Sequence, residues 1–186
     1  KHDKGKKTIY YKNAWLEIYD KPVIYFPKFF HPDPTVKRQS GFLMPKFESS
    51  SSLGDSLSIP YFQVISDNKD LTFTPKIFND SEGLFQNEYR QELRNSSILT
   101  DFSFLVGEAG TKGHLFYNQT GEFNQDTKYE LNLQSVRGDK YLKTYNLLDT
   151  SPIIKDDSVL LSDLNVNWNF DDSKLDLSFK MYEDLS

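Results

Sequence analysis

Apolar residues recur at every second position over most of this chain, and no segment keeps a helical period. Tyr129, Leu131 and Leu133 alternate with Lys128, Glu130, Asn132 and Gln134. Leu164, Val166, Trp168 and Phe170 alternate with Asn165, Asn167 and Asn169. Leu175, Leu177, Phe179 and Met181 do the same with polar neighbours, as do Leu71, Phe73, Pro75 and Ile77. A period of two puts one apolar and one polar face on each strand. Turn-forming clusters separate the runs: 66–69, 79–83, 95–97, 110–113, 124–126 and 171–173. Such residues tolerate positive φ or bond their own backbone. The reading is an all-β antiparallel meander with one long connection, roughly Arg137–Asp157, holding a short helical turn or folded loop.

The first third differs. Val23–Phe26 (VIYF) is apolar on both strand faces, and His31-Pro32-Asp33-Pro34 follows. Two prolines in three residues stop a strand, since each lacks an amide donor and restricts its predecessor. A domain boundary is expected there, with residues 1–34 as the end of a small buried sheet plus linker and 35–186 as the meander.

Two hosts fit strands of this kind. In a soluble sandwich the apolar face is core; in an outer-membrane barrel it meets lipid and the polar face lines a wet lumen. The expected strands run about 9–12 residues, near the length a tilted transmembrane strand needs. Their polar faces carry amides and charges, such as Glu88, Arg90 and Glu92. Tyr and Phe recur near strand ends, as an interfacial girdle would. From the residues alone the two hosts stay level.

Composition removes other classes. The 22 Lys+Arg against 27 Asp+Glu leave a net charge of −5, without the basic footprint of a nucleic-acid binder. No apolar run reaches the roughly 18–20 residues of a spanning helix. With no Cys, disulfides and thiolate metal sites are ruled out within the segment. His2, His31 and His114 have no metal-ligand spacing, and Asp156-Asp157 and Asp171-Asp172 lack the alternating ligands of a calcium loop. There is no nucleophile elbow, P-loop or dinucleotide fingerprint. No enzyme, metal or cofactor is expected. The chain opens on Lys1 and reads as a fragment.

Lys21–Pro45, KPVIYFPKFFHPDPTVKRQSGFLMP, resembles the junction of the LptD (OstA/Imp) family of LPS-assembly proteins. The family's V-P-V-F-Y-x-P-Y strand, proline-rich linker and K-R-x-S-G-F-L-x-P are matched by Pro22–Pro27, His31–Pro34 and Lys37–Pro45. The similarity continues through Ile59–Phe62, Leu71–Pro75, Asn87–Arg90 and Asp139–Leu142, with Gln39 where a second Arg is common.

The resemblance implies the last strands of a periplasmic β-jellyroll followed by the first eight or nine strands of an outer-membrane β-barrel, here only partial. It implies transport of lipopolysaccharide into the outer leaflet, location in the outer membrane and periplasm, and no catalytic role. Implied partners are lipopolysaccharide, outer-membrane lipids, an LptE-like plug lipoprotein and an LptA-like periplasmic bridge. It makes Pro45 and Pro60 lateral-gate residues and Val23, Ile24, Tyr25 and Phe26 candidates for the lipid path. Pro32, Pro34, Lys37, Arg38 and Gly41 form the jellyroll–barrel linker, with Lys37 and Arg38 near phosphate-bearing headgroups. On the expected strands Gly41–Glu48 and Ser56–Ile65, the two prolines oppose each other if the hairpin centres between Ser52 and Leu53. They are offset by about four residues if it centres on Gly54-Asp55. A porin-like barrel and a soluble glycan- or peptide-binding sandwich are the competing readings.

Overall fold

The computed structural model describes residues 2–3, 8–18, 20–32, 38–79, 83–107, 112–138, 140–170 and 172–185. β1 (His2–Asp3), β2 (Thr8–Ile18) and β3 (Lys21–Pro32) form an antiparallel three-stranded sheet. β3 ends at Pro32, the first of the linker prolines.

The second sheet begins at Gly41. It comprises β4 (Gly41–Phe42), β5 (Lys46–Ser50), β6 (Gly54–Ser58), β7 (Tyr61–Ser66), β8 (Lys69–Phe78), β9 (Gly83–Glu92), β10 (Ser96–Val106), β11 (Gly113–Asn124), β12 (Thr127–Arg137), β13 (Val159–Asn169) and β14 (Lys174–Asp184). β4 and β5 are two halves of one strand path, as are β6 and β7, which leaves nine paths. From β8 onward each strand pairs antiparallel with the next in sequence. The meander expected from the period of two is therefore present. The sheet does not close on itself: the first path is one edge and β14 the other.

Two-residue turns at Asp67-Asn68 and Gln125-Asp126, and short links at 93–95 and 170–173, lie at one end. At the opposite end lie the turn 51–53, the ends of β8 and β10, the starts of β9 and β11, and the described residues of the long connection between β12 and β13. The first hairpin turns through Ser51–Leu53 into Gly54, whose φ of +69° favours glycine. A Cβ there would also meet the Asn79 side chain at 2.5 Å.

The long connection folds as α1 (Tyr141–Thr144), a 3-10 turn (Leu147–Asp149) and extended chain. Tyr141, Leu142, Tyr145, Leu147 and Ile154 are buried in one cluster with Phe78, Leu84, Leu105 and Phe116. The ladders place those four strand residues on one face of the sheet. At about 1.5–3 kcal/mol per fully buried large side chain, this contact holds the connection against that face.

Candidate functional site: a proline-broken edge and a two-faced wall

Both of the first two strand paths break at the same level. The first is interrupted between Phe42 and Lys46, around Pro45, and the second between Ser58 and Tyr61, at Ile59-Pro60. Ser50 faces Gly54 and Lys46 faces Ser58, so the hairpin centres on Ser52. That register carries Pro45 opposite Ile59, whereas Gly41–Phe62 and Phe42–Tyr61 beyond the break set Pro60 opposite Leu43, so the pairing slips by one residue between them. Neither register expected from sequence is realised, because Gly54 closes a three-residue turn.

Hydrogen bonding shows what each proline removes. Leu43 N–H donates to the Pro60 carbonyl at 2.9 Å, and Pro60 has no N–H to return the bond. Ile59 N–H donates to the Pro75 carbonyl at 3.1 Å, and Pro75 likewise returns nothing. Antiparallel partners that exchange bonds alternate along a strand. Lys46 pairs with Ser58 and Leu43 bonds Pro60, three residues apart, so the alternation slips across Met44-Pro45. The three prolines lie fifteen residues apart, and Pro60 and Pro75 each lack a donor on the side facing the preceding strand path. The sequence shows Pro75 in the alternating run Leu71–Ile77 and in the Leu71–Pro75 motif. Its place in this row depends on pairing.

The face behind the break is polar. Lys76 on β8 reaches Glu48 on β5 at 2.5 Å, and Lys46 meets the same carboxylate at 2.5 Å. Arg38, just before the first path, binds Asp70 at 2.5 Å and the Asp67 carbonyl, and Arg90 binds Asp70 at 2.9 Å. A cavity of about 260 Å³ opens here, with Met44, Lys46, Pro60, Thr74, Lys76 and Thr150 among its walls. Farther along, amides continue the row: Asn118 to Asn132 at 2.6 Å, and Asn132 to Asp163 at 2.6 Å.

This face also holds a cluster that sequence reasoning missed. His114 Nδ1 lies 2.6 Å from Ser103 Oγ, which lies 2.6 Å from the Tyr141 hydroxyl. His114 Nε2 lies 3.3 Å from Asp101 Oδ2 without hydrogen-bonding it, and that oxygen accepts from Ser151. The residue types match those of a hydrolase triad, but Ser103 is 4% exposed and its hydroxyl is engaged by both His114 and Tyr141. No substrate carbonyl reaches it. Two of the five residues, Tyr141 and Ser151, belong to the long connection, so the cluster fastens that connection to the wall. Burial pushes the Tyr141 hydroxyl up to about 12.

The opposite face is apolar and uncovered. Phe104, Leu115, Leu133, Leu164, Leu177 and Phe179 share it by register, and all six are exposed, Leu115 at 54% and Phe179 at 66%. Meanwhile Lys76, Asp101 and His114 are buried. A soluble sandwich has the reverse distribution. Phe73, Phe85 and Phe104 stack across three strands at 5.8 and 5.2 Å. Toward the short-turn end lie Tyr89, Tyr117, Tyr129 and Trp168. Tyr89 donates to Gln91, Tyr117 donates to Gln119, and Gln119 donates to Tyr129. Rings with polar tips along one rim match the girdle of a membrane strand.

Of the expected path residues, Tyr25 is exposed, donates to Asn13 at 2.7 Å and packs against Trp15 in a tilted ring contact at 4.8 Å. Val23, Ile24 and Phe26 lie on β3, but their side chains fall outside the described residues. Pro32 ends β3, and Gly41 opens β4 with its backbone buried. Pro34 and Lys37 lie outside the described residues. Arg38 faces Asp70, a carboxylate of the wall itself. Among the described residues no group of three or more His, Asp or Glu could hold a metal ion. No described helix is long and apolar enough to cross a membrane, which says nothing of strands.

A wall with one apolar exposed face and one polar face, broken by prolines at one edge, defines a class. Comparison with known proteins shows what the chain is similar to. A family described as LptD protein matches residues 9–96. LPS-assembly protein LptD of Shewanella sp. (strain ANA-3) is 34% identical over 168 residues, covering 89% of this chain and 19% of that protein. The Shewanella denitrificans relative of that name is 33% identical over 143 residues, covering 72% and 18%. That of Idiomarina loihiensis is 29% identical over 147 residues, covering 75% and 19%. These matches support identifying the chain, at the level of the family, as an LptD/OstA-like protein. It spans about a fifth of the length of the curated relatives it matches.

Proposed function

We propose that this segment forms the first nine strands of an outer-membrane barrel wall, entered from a periplasmic jellyroll end, in a protein that delivers lipopolysaccharide to the outer leaflet. The observation that carries the reading is the inverted wall: large apolar side chains exposed on one face, charged and amide groups on the other. Family likeness supports a role in outer-membrane lipopolysaccharide assembly. In this reading the apolar face meets lipid, the short turns are periplasmic and the connection 138–158 folds into the lumen from the outer side. Lipopolysaccharide, an LptE-like plug lipoprotein, an LptA-like bridge and outer-membrane lipids are its partners.

The proline-broken edge is the lateral gate. Pro45 withholds a donor from the strand that closes the barrel, and Pro60 withholds one from the first path. Each absent bond is worth about 0.5–1.5 kcal/mol net in water, and a bare carbonyl facing hydrocarbon costs more. Two such defects at the seam lower the barrier to parting it. The test is Pro45→Ala with Pro60→Ala in the full-length protein. A folded barrel that slows delivery of lipopolysaccharide to the cell surface is expected. Wild-type delivery by the folded double variant would overturn the gate role.

A further inference from the structure

The first strand path is tied to β8 by side chains that leap over the second, once on each side of the proline row. On the long-connection side, Lys76 of β8 reaches Glu48 of β5 at 2.5 Å. β6 lies between them, with Ser58 opposite both Lys46 and Lys76, and Ser56 opposite both Glu48 and Phe78. Two inter-strand spacings separate the outer members, roughly 9–10 Å. Only a long lysine meeting a glutamate covers that distance, and only because Ser56 and Ser58 are too short to obstruct it. Lys76 is 11% exposed along its side chain, so its stem lies on the wall rather than in solvent.

On the short-turn side, Arg38 reaches Asp70 of β8 at 2.5 Å, with the Asp67 carbonyl as a second acceptor. The second path is represented there by Val64, which faces Asp70. Ser40 accepts from the Val64 amide at 2.8 Å, so the approach to the first path is held to the second as well. Between the braces lie Pro60 and Pro75, where two paired positions each keep one bond of two.

Resting on the gate reading above, we propose that Lys76–Glu48 and Arg38–Asp70 are positioning braces that hold the first strand path in register with β8 across the proline-weakened second path. Strands that have lost backbone bonds at one level keep their alignment through ion pairs on either side of it. The first three paths then move as one flap, and parting takes place at the free edge of the first path rather than between its neighbours. Partly shielded charges with short contacts resist salt better than exposed pairs do.

Hydrogen exchange on the full-length protein in detergent tests this, with Lys76→Met, Arg38→Met and the reversed pair Glu48→Lys with Lys76→Glu, the last made together with Lys46→Glu so that Lys46 does not oppose the new lysine. Methionine keeps the apolar stem and removes the charge, and the reversal restores the pair. Lys76→Met is expected to speed exchange at 46–50 and 54–58 at least tenfold, with β9 unchanged as an internal reference. Arg38→Met is expected to do the same at 61–66. The reversed pair should return 46–50 and 54–58 to within threefold of wild type. Unchanged exchange in the folded Lys76→Met protein, or no recovery on reversal, would overturn the braces. Delivery of lipopolysaccharide to the cell surface is read separately. Faster exchange with recovery keeps the braces whatever delivery does, and delivery unaffected by the Pro45/Pro60 double variant counts against the gate alone.

Discussion

Leu43 gives its amide hydrogen to the carbonyl of Pro60 at 2.9 Å and receives nothing back. One residue earlier, Ile59 stands in the same relation to Pro75 at 3.1 Å, facing the other neighbour. The second strand path is thus half-bonded on both flanks at one level, which is why β6 and β7 are separate segments.

The Pro75→Ala variant is therefore expected to tighten the wall on its own. It supplies a donor for the Ile59 carbonyl, worth about 0.5–1.5 kcal/mol net. The check is hydrogen exchange at 59–61 and 74–76 in the full-length protein, where protection should rise several-fold. Unchanged protection would show that the Ile59 carbonyl is already satisfied in another way.

Photo-crosslinkers along β3 should divide by parity. Successive side chains of a regular strand point to opposite faces, so the pairs compared are Val23 with Tyr25 and Ile24 with Phe26. Capture of lipopolysaccharide from a single pair is expected. Equal capture at all four positions, or at none, would remove this strand from the lipid path.

A charge on the exposed apolar face should cost far more than one on the polar face. Leu133→Arg places a guanidinium where lipid is proposed, at about 2–4 kcal/mol near the bilayer midplane. Thr120→Arg, exposed on the opposite face beside the short turns, is expected to cost little. Folded yield of each full-length variant in the membrane reads the difference. Equal tolerance of both would argue for water on both sides.

Alkaline conditions should release the long connection. The Tyr141 hydroxyl is raised from its ordinary 10 to about 12 by burial, so the folded state favours its neutral form. The stabilisation, about 3 kcal/mol for a shift of this size, is full below pH 10 and is lost as pH rises to 12. Proteolytic sensitivity within 138–158 should climb over that interval. The Tyr141→Phe variant has no such hydroxyl and should show a weaker rise. It also loses the bond to Ser103, at about 1 kcal/mol.

The period of two in 128–135, 164–170 and 175–181, with polar clusters between runs, was enough to establish strands, their order and their two faces. That information is local, since alternation and turn chemistry are properties of neighbouring residues. The family motifs in Lys21–Pro45 were legible for the same reason. What the tertiary structure alone decided is everything that depends on register and on reach across strands. The three-residue turn that Gly54 closes, and a one-residue slip in pairing at the break, leave Pro45 and Pro60 not opposed. Pro75 joins them only once β8 is laid beside the second path. Lys76 and Glu48 are 28 residues apart and separated by a strand, and they meet because two serines between them are small. Asp101, Ser103, His114, Tyr141 and Ser151 gather from two strands and a distant connection folded onto the polar face. No spacing in the chain announces that meeting, because the apolar burial of Tyr141, Leu142, Tyr145 and Leu147 is what draws the connection inward.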